Sequence, residues 1–368
     1  MIKNMAIAGY LKEKELQVAD YVGRRLDTDG VMPSHLKEGA LTYVNRRAKR
    51  LRPAALMLSC GATGGSGREM ESLPAAVAVE LFHTWTLIHD DIIDEDELRR
   101  NEPTVHKLRE SRAMEENRID PGKLGKYGAS IAILAGDILH GLSVSAFADC
   151  ARSGKTDPDL VFALIRSLET TTLFALLHGE AMDVQFGCQD LRDGCASFDD
   201  GAILEMVRLK TGALFEFCGQ AGAMIGKNTT DFNDPDVLAI RNFTKNCGIA
   251  FQLQDDLLGL LGDRSILGKP IGSDIREGKK TTIVLESLRN ASPGQRERIL
   301  SALGNKGCTD EDAKVLTSLF CELNGVSHTR KLAAGYMEEA VSSLEGLQES
   351  RYKALLISWA DLMVNREY

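Results

Sequence analysis

Apolar residues recur along most of this chain at intervals of three and four, the spacing that lays one face of an α-helix against a core. The pattern predicts helices over Leu160–Phe186, Ile203–Ile225, Val237–Leu261 and Leu332–Val364, where Ala, Leu, Glu and Lys are common. Proline placement agrees. Only nine are present, and the longest stretches without one run from Asp159 to Asp234 and from Gly294 to the C-terminus. No run alternates Val, Ile and Thr between hairpin turns, so strands should be nearly absent. Clusters of Gly, Pro and polar residues predict loops over Gly61–Pro74, Arg109–Gly125, Ser153–Pro158, Cys188–Gly201, Lys227–Pro235, Gly262–Lys280 and Asn290–Gln295. None is long or monotonous enough for a flexible interdomain linker, and no internal repeat is evident. The expectation is an all-α protein, with residues 1–368 forming a single large helical domain.

Composition narrows the class further. The 368 residues are 43% hydrophobic and 26% charged, enough to bury a core and to cover it. The net charge of −9 argues against general nucleic-acid binding, so any bound anion needs a local basic cluster. Eight scattered cysteines form no CxxC pair and read as reduced, mostly buried thiols of a cytoplasmic protein. The N-terminal apolar stretch Met5–Leu11 is ended by Lys12-Glu13-Lys14-Glu15, too soon for a signal peptide or a span, and no membrane insertion is expected.

The sharpest chemical signal is His89-Asp90-Asp91-Ile92-Ile93-Asp94-Glu95-Asp96-Glu97, which has six acids among its last eight residues. On a helix, Asp90 and Asp94 share a face with Cβ atoms about 5–6 Å apart. Two such carboxylates repel each other unless a hard cation bridges them, and Mg²⁺ typically combines one or two carboxylates with substrate phosphates. A solvated acidic helix end is the alternative for this motif alone. A second acidic site, Phe251-Gln252-Leu253-Gln254-Asp255-Asp256-Leu257-Leu258-Gly259, lies in another apolar helical stretch. Charges set twice into apolar helix are hard to explain by solvation alone.

The basic counterpart comes in pieces: Asn45-Arg46-Arg47-Ala48-Lys49-Arg50-Leu51-Arg52-Pro53, Arg99-Arg100, Lys210-Thr211, Lys269, and Lys279-Lys280. Beside two Asp-rich motifs these suggest a diphosphate site, since Arg meets phosphate oxygens through a planar fork and Lys as a point charge.

With these motifs in order, the chain resembles the trans-type isoprenyl diphosphate synthases, or polyprenyl synthetases. The resemblance runs from Lys49-Arg50-Leu51-Arg52-Pro53 through Glu80-Leu81-Phe82-His83, the first acidic motif, Leu98-Arg99-Arg100 and Pro103-Thr104-Val105-His106. It continues through Leu134-Ala135-Gly136-Asp137, Gly179-Glu180-Ala181-Met182-Asp183, Lys210-Thr211-Gly212 and the second acidic motif to Leu267-Gly268-Lys269-Pro270, Gly272-Ser273-Asp274 and Glu277-Gly278-Lys279-Lys280-Thr281.

That resemblance implies an isoprenoid-synthase helical bundle with a central cavity between two Asp-rich helices, active as a homodimer. It implies a catalytic set of Asp90, Asp91, Asp94, Asp255, Asp256, Lys210 and Arg99, with Asp90, Asp94 and Asp255 as ligands of Mg²⁺, three ions per site. Arg99, Lys210, Thr211, Gln252 and Lys269 match positions that hold the allylic diphosphate; Lys279 is counted as substrate-binding without assignment to either diphosphate. Lys49, Arg52, His83 and Arg100 match those that hold isopentenyl diphosphate. Two departures stand out: Ala48 replaces a Gly usual before the Lys, and Gly259 replaces a third Asp common in the second motif. The implied reaction condenses isopentenyl diphosphate with an allylic diphosphate by ionising the allylic C–O bond. It requires charge stabilisation of the leaving diphosphate and no protein nucleophile. This agrees with the absence of a Ser/His/Asp or Cys/His constellation, and His89 is read as a supporting histidine.

In the family, the residues four and five before the first Asp help set product length; here they are Thr86 and Trp85. An ideal helix places Thr86 within about 40° of Asp90 and Trp85 about 140° away, so simple geometry favours Thr86 while the family rule favours Trp85. With bulky Trp85 as the stop, the expected product is geranylgeranyl diphosphate, with farnesyl diphosphate the alternative. More distant alternatives are an HD-type metal-dependent phosphohydrolase, which leaves the second acidic site and the basic pieces unexplained, and a noncatalytic partner subunit, which would be expected to have lost its acidic motifs. A class I terpene cyclase shares the first motif, but no Asn/Ser/Glu metal triad lies near residue 255.

Overall fold

The computed structural model describes residues 2–26, 33–46, 48–117, 119–189, 191, 199–261 and 272–364. In chain order the principal elements are α1 (Ile2–Leu26), α2 (Ser34–Val44), α3 (Leu51–Gly64), α4 (Leu73–Ile93), β1 (Leu98–Arg99), β2 (Glu102–Pro103), α5 (Val105–Glu115), α6 (Leu124–Ala148) and α7 (Pro158–Arg166). They continue with α8 (Leu173–Cys188), α9 (Asp200–Val207), α10 (Ala213–Lys227), α11 (Pro235–Leu261), α12 (Ser273–Arg276), α13 (Thr282–Asn290), α14 (Pro293–Ala302), α15 (Asp310–Glu322), α16 (Gly325–Ser343) and α17 (Arg351–Val364). Among the described residues the only strands are β1 and β2, two residues each and antiparallel, so the all-α expectation holds.

The helix boundaries depart from the sequence pattern in identifiable ways. The stretch expected as one helix over Leu332–Val364 is two, α16 and α17, because turns occupy residues 344–347. Gly61–Pro74, expected as a loop, is largely helical: α3 continues to Gly64, and a short helix covers Ser66–Glu69. Arg109–Gly125 is likewise mostly helix at its start, since α5 runs to Glu115. The predicted helices Leu160–Phe186 and Ile203–Ile225 each contain a π-helical turn, at Ser167–Thr172 and Arg208–Gly212. Wide turns of this kind are frequent at functional sites.

Contacts divide the chain into two compact units. The first comprises residues 1–166, 218–238 and 348–359. Its centre is α4, which is apolar nearly all round and buries Val77, Leu81, Phe82 and Ile88. Helix α6 covers α4 with Ile131, Ala135 and Leu139, and α3 packs against α4 as well. Glu69 gathers this unit's chain ends: it accepts hydrogen bonds from Tyr10 (2.7 Å) and Tyr352 (2.5 Å) and pairs with Lys14 at 3.0 Å.

The second unit comprises residues 167–217, 239–347 and 360–368. Its core combines Ile203 and Val207 of α9, Leu253 and Leu257 of α11, Ile283 of α13, Leu316 and Phe320 of α15, and Val326 of α16.

By length and composition alone, residues 121–152 and 158–188 are apolar enough to cross a membrane, a property the sequence reading had not singled out. In 121–152, Ile131, Ala135 and Leu139 of α6 are buried and α6 packs on α4, whereas Ile133 and Leu134 are exposed. In 158–188, Leu160, Val161 and Leu164 are buried, whereas Phe162 and Phe174 are 69% and 65% exposed. Of the seven described cysteines all are free, five are buried, and Cys188 and Cys321 are exposed.

Glu69 provides a test of this packing. Burial opposes its ionisation, but hydrogen bonds from Tyr10, Tyr352 and Lys14 outweigh burial and hold its carboxyl below the usual glutamate value. A carboxyl depressed on folding contributes stability above its unfolded pKa and loses it as pH falls through the folded one. Glu69→Gln should therefore cost about 3 kcal/mol at neutral pH. In denaturant titrations, the gap to wild type should narrow below about pH 4.

Candidate active site

In the first unit, the acidic motif falls on the last turn of α4, with Asp94 as its C-cap. A helix C-terminus carries partial negative charge, so carboxylates there need a cation nearby. The hairpin supplies it. Arg100 and Asn101 both have left-handed backbones (φ 56° and 63°), the geometry of a tight two-residue turn between β1 and β2. The turn folds Arg99 back onto α4, where its guanidinium lies 2.5 Å from Asp91 and 3.3 Å from Asp90.

Asp91 is fully buried and also accepts a hydrogen bond from Tyr43 on α2. Burial raises the Asp91 pKa, opposed by Arg99 and Tyr43. The Arg99 guanidinium, despite burial, is driven upward by Asp91 and Asp90. Asp91 thus anchors Arg99, whereas Asp90 is half-buried and Asp94 is exposed. The sequence grouped the three aspartates; the structure separates their surroundings.

A basic group lies at the start of α3. Lys49 is exposed, Arg50 is buried against Glu80 and donates to the Val44 carbonyl at 2.5 Å, and the Arg52 guanidinium lies 2.9 Å from His83 Nε2. Burial, then the fields of Arg52, Arg100, Arg99 and Arg50, hold the His83 imidazole well below its ordinary pKa. Arginine can only donate, so neutral His83 accepts through Nε2. Among the described residues of this loop the left-handed one is Arg50 (φ 45°); Ala48, where a glycine was expected, has no positive φ.

The product-length candidates sit further up α4. Trp85 is half-buried among aromatic neighbours: its ring is 5.1 Å from Phe82, 5.6 Å from His89 and 4.6 Å from His140 of α6. Gly136 of α6 makes this approach possible, because a Cβ there would come within 2.6 Å of His89 and 3.1 Å of Trp85. The Thr86 hydroxyl donates to the His83 carbonyl of its own helix at 2.8 Å. The 140° offset of Trp85 from Asp90 is thus the direction of α6. His89 lies 3.2 Å from the Ile133 carbonyl and 3.7 Å from Asp137, consistent with a supporting histidine.

In the second unit, Lys210 occupies the π turn after α9 and meets Asp183 at 2.7 Å and Glu180 at 2.9 Å, both on α8. The adjacent Thr211 donates to Gln252 at 2.9 Å, and the Gln252 amide donates to Asp256 at 3.0 Å. Asp256 is buried, and desolvation, opposed by Lys279 and reinforced by Asp274, raises its pKa to about 7. Asp255, its half-buried neighbour, belongs to the same turn of α11. Lys279 is driven upward chiefly by Asp274, with Asp256 and Asp183 adding. Lys280 instead donates to the Gly187 carbonyl at 3.0 Å, while Lys269 lies outside the described residues.

Sequence reasoning did not single out Tyr43, Glu80, Glu180, Asp183 or Asp274. Glu80, Glu180, Asp183 and Asp274 lay inside motifs that were read, and the three-residue spacing of Glu180 and Asp183 on α8 was the available signal for a lysine partner. Nothing local marks Tyr43, whose contact with Asp91 spans 48 positions.

The family model for polyprenyl synthetase matches residues 33–320. A geranylgeranyl diphosphate synthase of Sulfolobus acidocaldarius is 36% identical over 309 residues, covering 84% of this chain and 83% of its own. A geranylfarnesyl diphosphate synthase of Aeropyrum pernix is 31% identical, over 93% of this chain and 97% of its own. A crystal structure of geranylgeranyl pyrophosphate synthase from Corynebacterium glutamicum, complexed with isoprenyl diphosphate and magnesium, superimposes with a TM-score of 0.79 at 26% identity, over 98% of this chain and 99% of its own. The helical fold, the two acidic motifs with their cations and these matches lead to one conclusion: the chain belongs to the polyprenyl synthetase family and is an isoprenyl diphosphate synthase.

Proposed function

We propose that this enzyme condenses isopentenyl diphosphate with allylic diphosphates to make geranylgeranyl diphosphate. The single observation that carries the reading is the arrangement around α4: half-buried Asp90 and exposed Asp94 one turn apart, with Arg99 fixed beside them by buried Asp91. The span of the family model over both units supports treating the chain as one all-α prenyltransferase domain.

The donor set fits Mg²⁺. Asp90, Asp94 and Asp255 offer hard carboxylate oxygens, and the magnesium complex of the Corynebacterium relative supports the same ion here, with the count of three taken from the family resemblance. When bound, Mg²⁺ neutralises charge on the departing diphosphate. The chain's own residues do the rest. Arg99, Lys210 and Lys279, with the Lys210 and Lys279 amines oriented by carboxylates, are assigned to the allylic diphosphate together with Thr211, Gln252 and Lys269. Lys49, Arg52, His83 and Arg100 are assigned to isopentenyl diphosphate. Neutral His83 fits this role, because it holds the Arg52 fork in one orientation without adding a charge of its own. Donors fixed in advance stabilise developing charge without reorganising.

Product length is assigned to Trp85. Its ring is immobilised by Phe82, His89 and His140, which supports a rigid stop and the twenty-carbon product. The Aeropyrum relative named for geranylfarnesyl diphosphate marks the next longer product as the competing outcome. A homodimer is also proposed, since the exposed Phe162 of α7 and Leu134 of α6 are apolar surface that a second copy can cover. The soluble enzyme should then run at twice 40.2 kDa in light scattering.

Purified protein given both substrates and Mg²⁺ should release diphosphate together with a longer prenyl diphosphate, and no product from any primer of five to fifteen carbons would end the proposal. Asp90→Ala should lower turnover by about 10²–10³-fold, as expected for loss of leaving-group stabilisation. Lys49→Ala should raise KM for isopentenyl diphosphate about tenfold with little change for the allylic primer; the reverse pattern would exchange the two assignments. Trp85→Ala should shift dephosphorylated products beyond twenty carbons in chromatography. Thirty carbons or more from wild type, or an unchanged distribution in the variant, would remove Trp85 from the role.

A further inference from the structure

Within their first five residues the two acidic motifs differ in charge at one position. In α4 the leading Asp90 is followed four residues later by Asp94, one turn along the same face. In α11 the leading Asp255 is followed four residues later by Gly259. That place on α11 is not vacant. A Cβ at Gly259 would lie 2.6 Å from Asp274 Oδ2, so with a side chain at 259 the Asp274 carboxylate would have to move away. The carboxylate that α11 lacks is delivered to the same spot from α12.

We propose that Asp274 is the third carboxylate of the second acidic site, that Gly259 is glycine in order to admit it, and that its task is to position Lys279. The backbone ties donor and acceptor together. The Lys279 amide donates to the Asp274 carbonyl at 2.9 Å, and Gly278, with φ 75°, turns the chain so that residues 274 and 279 close one compact turn. Asp274, Asp256 and Lys279 line one pocket with Ile275, Ile283 and Phe320, whose apolar walls strengthen the attraction between the charges. Asp256 is shared with the Gln252 amide, and Asp274, on the same turn as Lys279, acts on its amine more strongly than Asp256 or Asp183. Asp274 is a positioning residue, and the inference rests on the proposed role of Lys279 in diphosphate binding.

The test is a double-mutant cycle on the full chain, using Asp274→Asn, Gly259→Asp, Asp274→Ala and the pair Gly259→Asp with Asp274→Ala. Binding of inorganic diphosphate in the presence of Mg²⁺ is measured by calorimetry and thermal unfolding without any ligand. Asp274→Asn, which keeps the shape and removes the charge, should weaken diphosphate binding about tenfold and raise KM for the allylic primer more than it lowers kcat. Gly259→Asp alone should lower both Tm and affinity, and adding Asp274→Ala should restore both to within about threefold of wild-type affinity. Wild-type behaviour of either Asp274→Asn or Gly259→Asp would overturn the inference, as would a pair no better than the worse single variant. If wild type itself neither binds diphosphate nor makes product, the proposed function fails. The ligand-free unfolding cycle still reports separately whether positions 259 and 274 contest one space.

Discussion

Carboxylates on apolar helices must be answered by cations. Two like charges 4 Å apart repel by about 4 kcal/mol at the effective dielectric of a protein surface, and desolvation adds to that. This fold sets Asp90 and Asp91 at the negative end of α4, Glu180 and Asp183 on α8, and Asp255 and Asp256 on α11. Each group is met by a basic side chain delivered from a turn, a short strand or a break in the helical ladder. Arg99 precedes a two-residue turn, Lys210 rides on a π turn, and Lys279 follows a left-handed glycine. Arg50, paired with Glu80, is itself left-handed. Regular helices supply the acids, while the interruptions supply the bases.

The division has a chemical consequence. A cation already paired in the resting protein is held in one orientation, so binding an anionic substrate does not require it to be ordered afresh. Lys210, between Glu180 and Asp183, and Arg99, against Asp91, are set in advance in this way. In the proposed ionisation of a C–O bond, donors that stand still while charge develops would do the work that other enzymes give to a protein nucleophile.

The helices were legible in the sequence because a 3.6-residue period survives tertiary packing. Boundaries were less so. The break between α16 and α17 and the helical continuation past Gly61 depend on capping and burial that composition does not display. The acidic and basic site residues were legible as motifs because they are contiguous. Their pairing was not: Tyr43 reaches Asp91 from 48 positions away, and Asp183 reaches Lys210 from 27. The separation of Asp91, consumed by Arg99 and Tyr43, from Asp94, exposed at the helix end, is likewise a fact of burial rather than of spacing.

The helical wheel and the family rule over product length weigh different features of α4. The wheel assumes that a stop must lie on the face of Asp90, which would select Thr86. Yet Thr86 is small and spends its hydroxyl on the His83 carbonyl of its own helix. Trp85 points toward α6, where the absence of a side chain at Gly136 lets its ring settle beside His140. Its indole N–H has no hydrogen-bond partner among the described residues, although two of its ring neighbours are histidines. A ring with neighbours in Phe82, His89 and His140 is closely packed, so the stop proposed at Trp85 would act by excluded volume rather than by facing Asp90 and Asp94. The two criteria measure different things: the wheel reports which residues share the Asp90 face, and packing against α6 reports which side chain is tightly held.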